Sequence, residues 1–219
     1  MTRKIRYKRL FLFLFIFFVF IIVLFKFLTV HITNIYVDGN VYLSDQEIIE
    51  SAKLSNYPSS IMMFSSRVES NVKSNSLVLD AKVSKKNFSK VYIHITENRP
   101  LYFDQVNNKT ILKDGSSIDK KFNVPSLTNV VSNDVYDDFL SYLSKIDYSV
   151  YNCISEIEYS PNSVDNKLFL FTMNDGNYIY VNLDRFESVN KYFDMITNFN
   201  NHKGILYLDS GEYFEILDN

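Results

Sequence analysis

The chain holds one cysteine, four prolines, five glycines and three histidines in 219 residues. Each scarcity excludes something. A lone thiol, Cys153, cannot form an intramolecular disulfide, so the chain folds without a cross-link. No Pro/Gly/Ser-rich stretch supplies a flexible linker, and there is no long repeat or low-complexity tail. His31, His94 and His202 lie far apart and lack metal-ligand spacing, so no metal is expected. His94 falls on the polar face of a predicted strand, where a solvated ring is the simpler reading. No P-loop, G-x-G-x-x-G, G-x-S-x-G or S-x-x-K motif occurs, and no pair of carboxylates is set apart by spacing as an acid/base couple. Cys153, in Tyr151-Asn-Cys-Ile154, lacks the Thr-Leu-x-Thr-Cys context of a sortase-like transpeptidase and reads as a small buried thiol at a strand start. No enzyme activity and no cofactor are expected.

Acidic residues are missing from the first 37 positions, and this absence frames the strongest feature present. Arg3, Lys4, Arg6, Lys8 and Arg9 precede an apolar run from Leu10 to Val30, broken only by Lys26 and Thr29. Twenty-one residues at about 1.5 Å each span roughly 31 Å, the hydrocarbon thickness of a bilayer. A helix in lipid satisfies its own backbone, so the segment can cross, and the one-sided basic cluster keeps the amino terminus in the cytoplasm. Lys26 can snorkel to the outer interface. A cleaved signal peptide is the alternative, but it needs a shorter core and a small-residue cleavage step, and Phe27-Leu-Thr-Val-His31 offers none.

Beyond residue 30 the chain carries 17 Lys and Arg against 25 Asp and Glu, a net of about −8. That balance argues against nucleic acid and against an anionic lipid surface as the partner of this part. Hydrophobic residues make up 47% of the chain and aromatics 16%, enough for a real core. A disulfide-free external part fits a bacterium with a single membrane, and the Lys, Asn, Ile, Tyr and Phe bias fits an AT-rich genome.

Patterning gives the elements. Ile32 to Asp38 alternates as a strand and stops at Asp38-Gly39-Asn40. Ser44-Asp-Gln-Glu47 is a capping box that opens a short helix to about Leu54. A second helix is predicted over Ser65 to Lys73, with Phe64, Val68 and Val72 four apart. Leu77–Lys85 and Val91–Glu97 read as a hairpin joined by Asn87-Phe88-Ser89-Lys90. The order is strand, helix, helix, strand, strand, which makes a small three-stranded sheet with both helices on one face. After Pro100 come predicted strands at 101–106, 110–112, 154–159, 168–172, 178–181, 205–208 and 213–217, with turns at Asp114-Gly115, Asn174-Asp-Gly176 and Asp209-Ser-Gly211. Helices are predicted at Asp134–Ile146 and Phe186–Phe199.

This order of elements resembles the FtsQ/DivIB family of cell-division proteins. Ile35-Tyr-Val-Asp-Gly-Asn40 with Leu43-Ser-Asp-Gln-Glu-Ile48 resembles the start of a POTRA domain. Val78-x-x-Ala81-x-Val83, Val91-Tyr-Ile-His-Ile-Thr-Glu97 and Asn98-Arg-Pro100 resemble its end. Leu112-Lys-Asp-Gly115, Pro125-Ser-Leu127, Asn174-Asp-Gly176, Ser188-Val-Asn-Lys191 and Gly204-Ile-Leu-Tyr-Leu-Asp-Ser-Gly211 match later family features in order. Asn75-Ser76 and Asn87-Phe88-Ser89 depart from the family pattern. The resemblance implies an α+β chain: a cytoplasmic tail (1–9), a transmembrane signal anchor (10–30), a POTRA domain (31–100) and a β-rich domain with flanking helices (101–219). It also implies a division scaffold at the septum that binds FtsB/DivIC- and FtsL-type partners outside the membrane, beside the septal peptidoglycan synthase, with lipid touched through one helix and no nucleic acid bound. By resemblance the partner adds to the last strand at Tyr207, Leu208, Asp209, Ser210, Tyr213 and Phe214 and touches Lys191 and Tyr192 on the preceding helix. A POTRA face near Val37–Asn40 with Arg67 is implied as a second contact. The alternatives are a POTRA-bearing export or chaperone protein and a membrane-anchored cell-wall enzyme.

Overall fold

A computed structural model describes residues 7–199 and 202–217; Arg3, Lys4 and Arg6 of the basic cluster lie outside them. The apolar run forms α1 (Tyr7–Leu28), 22 residues or about 33 Å, with none of its side chains buried. It is long and apolar enough to cross a membrane. The chain divides into two compact units that meet between Glu97 and Asn98.

In the first unit, β1 (Asn34–Asp38) pairs in parallel with β3 (Lys90–Glu97), which pairs antiparallel with β2 (Val78–Lys86). The predicted capping box forms: Ser44 Oγ accepts from Glu47 N–H, and Glu47 reaches back to Ser44 N–H, opening α2 (Asp45–Ser51). α3 (Ser65–Lys73) follows, and its Val68 and Val72 join Ile48 in covering the alternate residues Val91, Ile93 and Ile95 of β3. A five-residue β1 suffices because the turn after it is tight. Gly39 sits at φ +88°, and a Cβ there would overlap the Ile95 carbonyl oxygen, so only glycine can pass over β3. Glu97 closes the same end by accepting from the backbone N–H of Tyr42 and Leu43 at 2.8–3.0 Å.

Nine strands of the second unit form one sheet among the described residues. They are β4 (Pro100–Asp104), β5 (Lys109–Leu112), β6 (Ser117–Ile118), β7 (Ser126–Leu127), β8 (Ile154–Tyr159), β9 (Leu168–Met173), β10 (Tyr178–Asn182), β11 (Gly204–Leu208) and β12 (Tyr213–Ile216). Their spatial order is β12-β11-β10-β9-β8-β7-β4-β5-β6. Helices α4 (Asn133–Leu143) and α5 (Tyr148–Tyr151) bury Val135, Phe139, Leu143, Val150 and Tyr151 in its core. Phe139 stacks on Phe169 at 5.0 Å, and Phe186 meets Phe169 and Phe171 edge-on. β6, β7 and α5 escape the sequence patterns because two to four residues carry no period. β7 nonetheless joins β4 to β8, parallel to both.

The helix expected over Phe186–Phe199 is a correction. Leu183–Lys191 is a 3₁₀ helix, α6 covers only Tyr192–Ile196, and Thr197–Phe199 is 3₁₀ again. The spacing explains it. The residues that must be buried are Leu183, Phe186, Val189 and Tyr192, each three apart. Three residues per turn is the 3₁₀ period, so tightening the coil keeps all four on one line. Asn182 starts the segment by accepting from Asp184 N–H.

Candidate functional site

The sheet of the second unit ends in a short open strand. β12 pairs with β11 on one side, and among the described residues no strand pairs with its other side. Alternation sorts the two faces. Leu206 and Leu208 of β11 are buried against the helical segment, with Phe214 of β12 beside them and stacked on Phe199 at 4.3 Å. On the opposite face Tyr207 stacks on Tyr213 at 4.5 Å and meets Tyr180 of β10 at 6.0 Å, which makes a tyrosine row across three strands. Tyr207 donates to Glu215, and partial burial together with that carboxylate raises its phenol above the ordinary range. A small cleft of about 160 Å³ opens between Met195, Phe199, Leu206, Tyr213 and Phe214. Arg185 donates to the Gly211 carbonyl at 3.2 Å and pairs with Glu212 at 3.5 Å, which ties the β11–β12 turn to the 3₁₀ segment.

A buried polar cluster sets the place of β11. Asn177, 2% exposed, accepts from Gly204 N–H at 3.0 Å and donates to Tyr192 Oη at 2.9 Å and to Asp175 at 3.1 Å. Tyr192 Oη donates to the same Asp175 carboxylate at 2.7 Å. Burial alone would raise the Asp175 carboxyl, but the Tyr192 hydroxyl and the Asn177 amides outweigh it and hold it below the usual carboxylate value. Burial, with the nearby Asp175 charge, pushes the Tyr192 phenol upward. One asparagine thus joins the β9–β10 turn, α6 and the first residue of β11.

Of the residues expected to meet a partner, Tyr213 (54% exposed) and Ser210 stand open, and Tyr207, Asp209 and Phe214 are half-buried. Lys191 is exposed on the helical segment. Leu208 and Tyr192 are fully buried: Leu208 packs the inner face, and Tyr192 belongs to the Asn177 cluster. No sequence pattern marks Asn177, Arg185, Met195 or Phe199 as parts of this site. The turn Asn174-Asp-Gly176 was the only signal near Asn177, and it gave no hint of a contact with residue 204.

Arg67 lines a groove with Pro58, whose carbonyl bonds to Ile32 before β1, whereas Val37–Asn40 lie at the far end of that strand. Cys153 is half-buried rather than buried, and its Sγ donates to the Ser149 carbonyl at 3.4 Å. Among the described residues no cluster of three or more His, Cys, Asp or Glu is placed to hold a metal.

The chain is similar to known cell-division proteins. Residues 30–98 match the POTRA domain, FtsQ-type. The cell division protein DivIB of Listeria monocytogenes is 26% identical over 84% of this chain and 72% of its own length. DivIB of Pediococcus pentosaceus is 29% identical over 81% of this chain but only half of its own length. The solved major extracytoplasmic domain of DivIB from Geobacillus stearothermophilus matches 47% of this chain and 92% of its own, at 18% identity and a TM-score of 0.39.

Proposed function

We propose that this chain, which belongs to the FtsQ/DivIB family of cell-division proteins, is a single-pass membrane scaffold of the division septum with no catalytic role of its own. α1 anchors it with the amino terminus in the cytoplasm, and residues after 30 lie outside as a POTRA domain (31–100) and a β domain (101–219). The outer edge of β12 receives a segment of an FtsB/DivIC- or FtsL-type partner by β-augmentation, and the complex thereby helps control septal peptidoglycan synthesis.

The observation that carries this reading is the open edge of β12. The N–H and C=O groups along this edge, which pair with no strand among the described residues, are a template for one more strand. Tyr213 and Tyr207 give the incoming side chains an aromatic surface, and the cleft beside Met195 and Phe199 can take an apolar anchor. Ser210, Asp209 and exposed Lys191 flank this edge as polar contacts, while Leu208 and Tyr192 hold it in place. Truncation after Asp209 tests the proposal. The shortened protein is expected to remain in the membrane, lose co-purification with the FtsB/DivIC-type partner and fade from the septum. Unchanged recovery of the partner would overturn β12 as the docking edge.

A further inference from the structure

The end of the first unit next to α1 is built unlike the rest of that unit. The chain leaves the helix without a linker. Ser59 Oγ donates to the Leu28 carbonyl at 2.6 Å, and Ser60 N–H donates to the Val30 carbonyl at 2.8 Å. Ile32 N–H donates to Pro58, and Thr33 N–H to Ser89 at 2.8 Å. The loop 57–64 and the β2–β3 hairpin tip are therefore fastened to the residues that emerge from the apolar helix. Phe88 at the tip lies edge-on to Phe27 within α1, centroids 6.3 Å apart.

This same end exposes large apolar side chains. Met62 is 67% exposed, Phe64 68% and Phe88 67%. Backbone strain accompanies them. Asn87 and Phe88 sit at φ 52° and 59°, the left-handed geometry of a tight hairpin turn in which glycine is the favoured second residue. Phenylalanine there is held against its own preference with the ring pointing outward. Tyr57 and Lys53 in the adjoining loop also have positive φ. Four of the five non-glycine positive-φ residues among those described lie at this end.

The helix end also gathers cations. Strand register places Lys86 opposite Lys90 and Lys90 opposite Asn34 at the helix end. Lys85 donates to the Ser60 and Met63 carbonyls, pinning the loop while keeping its cation there. At the far end of the sheet lie Asp38, Asp45, Glu47 and Glu97. A five-residue strand separates the two ends by about 15–20 Å.

We propose that this end is a membrane foot. Met62, Phe64 and Phe88 seat in the headgroup layer of the outer leaflet around α1, and Lys85, Lys86 and Lys90 meet anionic lipid phosphates. The inference rests on the reading of α1 as a membrane anchor, and the hydrogen bonds to Leu28 and Val30 supply the continuity between that anchor and the foot. The strained Phe88 turn holds an aromatic ring at interface depth, where amphipathic and aromatic groups partition favourably.

The chain has no tryptophan, so each introduced tryptophan is a unique reporter. The full chain would be reconstituted in mixed phosphatidylcholine and phosphatidylglycerol vesicles containing brominated lipids. Four single variants, Phe17→Trp, Met62→Trp, Phe88→Trp and Val41→Trp, report the helix centre, the loop, the hairpin tip and the far end. Expected are deep quenching at 17, quenching by bromine near the headgroups with a blue-shifted emission at 62 and 88, and none at 41. Replacing phosphatidylglycerol by phosphatidylcholine is expected to weaken quenching at 62 and 88 severalfold; no dependence on it would overturn the phosphate pairing. Quenching at 17 with none at 62 and 88 overturns the foot while the anchor stands, and leaves this face to a protein partner. No quenching at 17 overturns the anchor itself.

Discussion

A single methyl group at Gly204 tests how β12 is held. Gly204 begins β11 opposite Ile216. A Cβ there would overlap the Glu215 carbonyl oxygen and lie 2.7–2.8 Å from two atoms of the Phe214 ring. β11 cannot yield easily, because Asn177 holds Gly204 N–H and β10 pairs along its other side. β12 is the final described strand and can move away. Overpacking of this kind costs about 1–3 kcal/mol, and losing the Phe199–Phe214 stack adds about 0.5–1.5 kcal/mol. A combined loss of about 2–4 kcal/mol in the free energy that keeps β12 closed means roughly 30- to 1,000-fold faster opening, at a factor of ten per 1.4 kcal/mol. Hydrogen exchange by mass spectrometry on Gly204→Ala in detergent reads this directly. Amides of β11 and β12 that pair with each other should accelerate by that factor, while β8, β9 and β10 stay protected. Unchanged exchange in β12, or equal acceleration throughout the sheet, would refute the reasoning that β12 is a separately openable strand.

Three further outcomes follow from the same geometry. Asn177→Ala leaves the buried Gly204 N–H without its acceptor and takes two donated bonds from Tyr192 and Asp175, so urea unfolding should show a loss of about 2–4 kcal/mol. Asp175 has its carboxyl held below the ordinary 3.8, so its stabilisation is present above that value and is lost as pH falls through the folded value. Acid titration of thermal stability should show this decline in the wild type and a shallower one in Asp175→Asn. Gly39→Ala combines about 1–2 kcal/mol of left-handed strain with about 1–3 kcal/mol for overlap on the Ile95 carbonyl, so calorimetry should find the first unit destabilised by at least about 2 kcal/mol; a smaller loss would show that β3 yields there at little cost.

Sequence reading succeeded where a local rule had one outcome. The capping box at Ser44, the alternation of Val91, Ile93 and Ile95 and the helix over Ser65–Lys73 depend on residues within a few positions of each other. It failed over 183–199 because apolar spacings of three and four overlap, and only the buried set Leu183, Phe186, Val189 and Tyr192 selects the tighter coil. Family resemblance points to Tyr207, Tyr213 and Phe214, and the structure places them on β11 and on the edge strand β12. The distinction between Tyr207, which faces outward, and Tyr192, which is buried, depends on long-range placement. Asn177 was beyond reach for the same reason, since its partner Gly204 is 27 residues away.

The division of charge gives the two units different surroundings. Residues 31–97 carry seven Lys and Arg and seven Asp and Glu, whereas residues 98–219 carry ten against 18. All of the net negative charge beyond residue 30 therefore belongs to the second unit. Anionic lipid repels that unit, while the neutral stretch 31–97 gathers Lys85, Lys86 and Lys90 at the end tied to α1. The same acidity protects the open edge. β12 is only four residues long and carries Glu215, with Glu212 just before it. A second copy meeting it edge to edge would bring like charges together, which disfavours self-pairing. A strand with basic residues meets no such penalty. An edge that is open to hydrogen bonding but penalised against its own copies favours a different chain as its occupant.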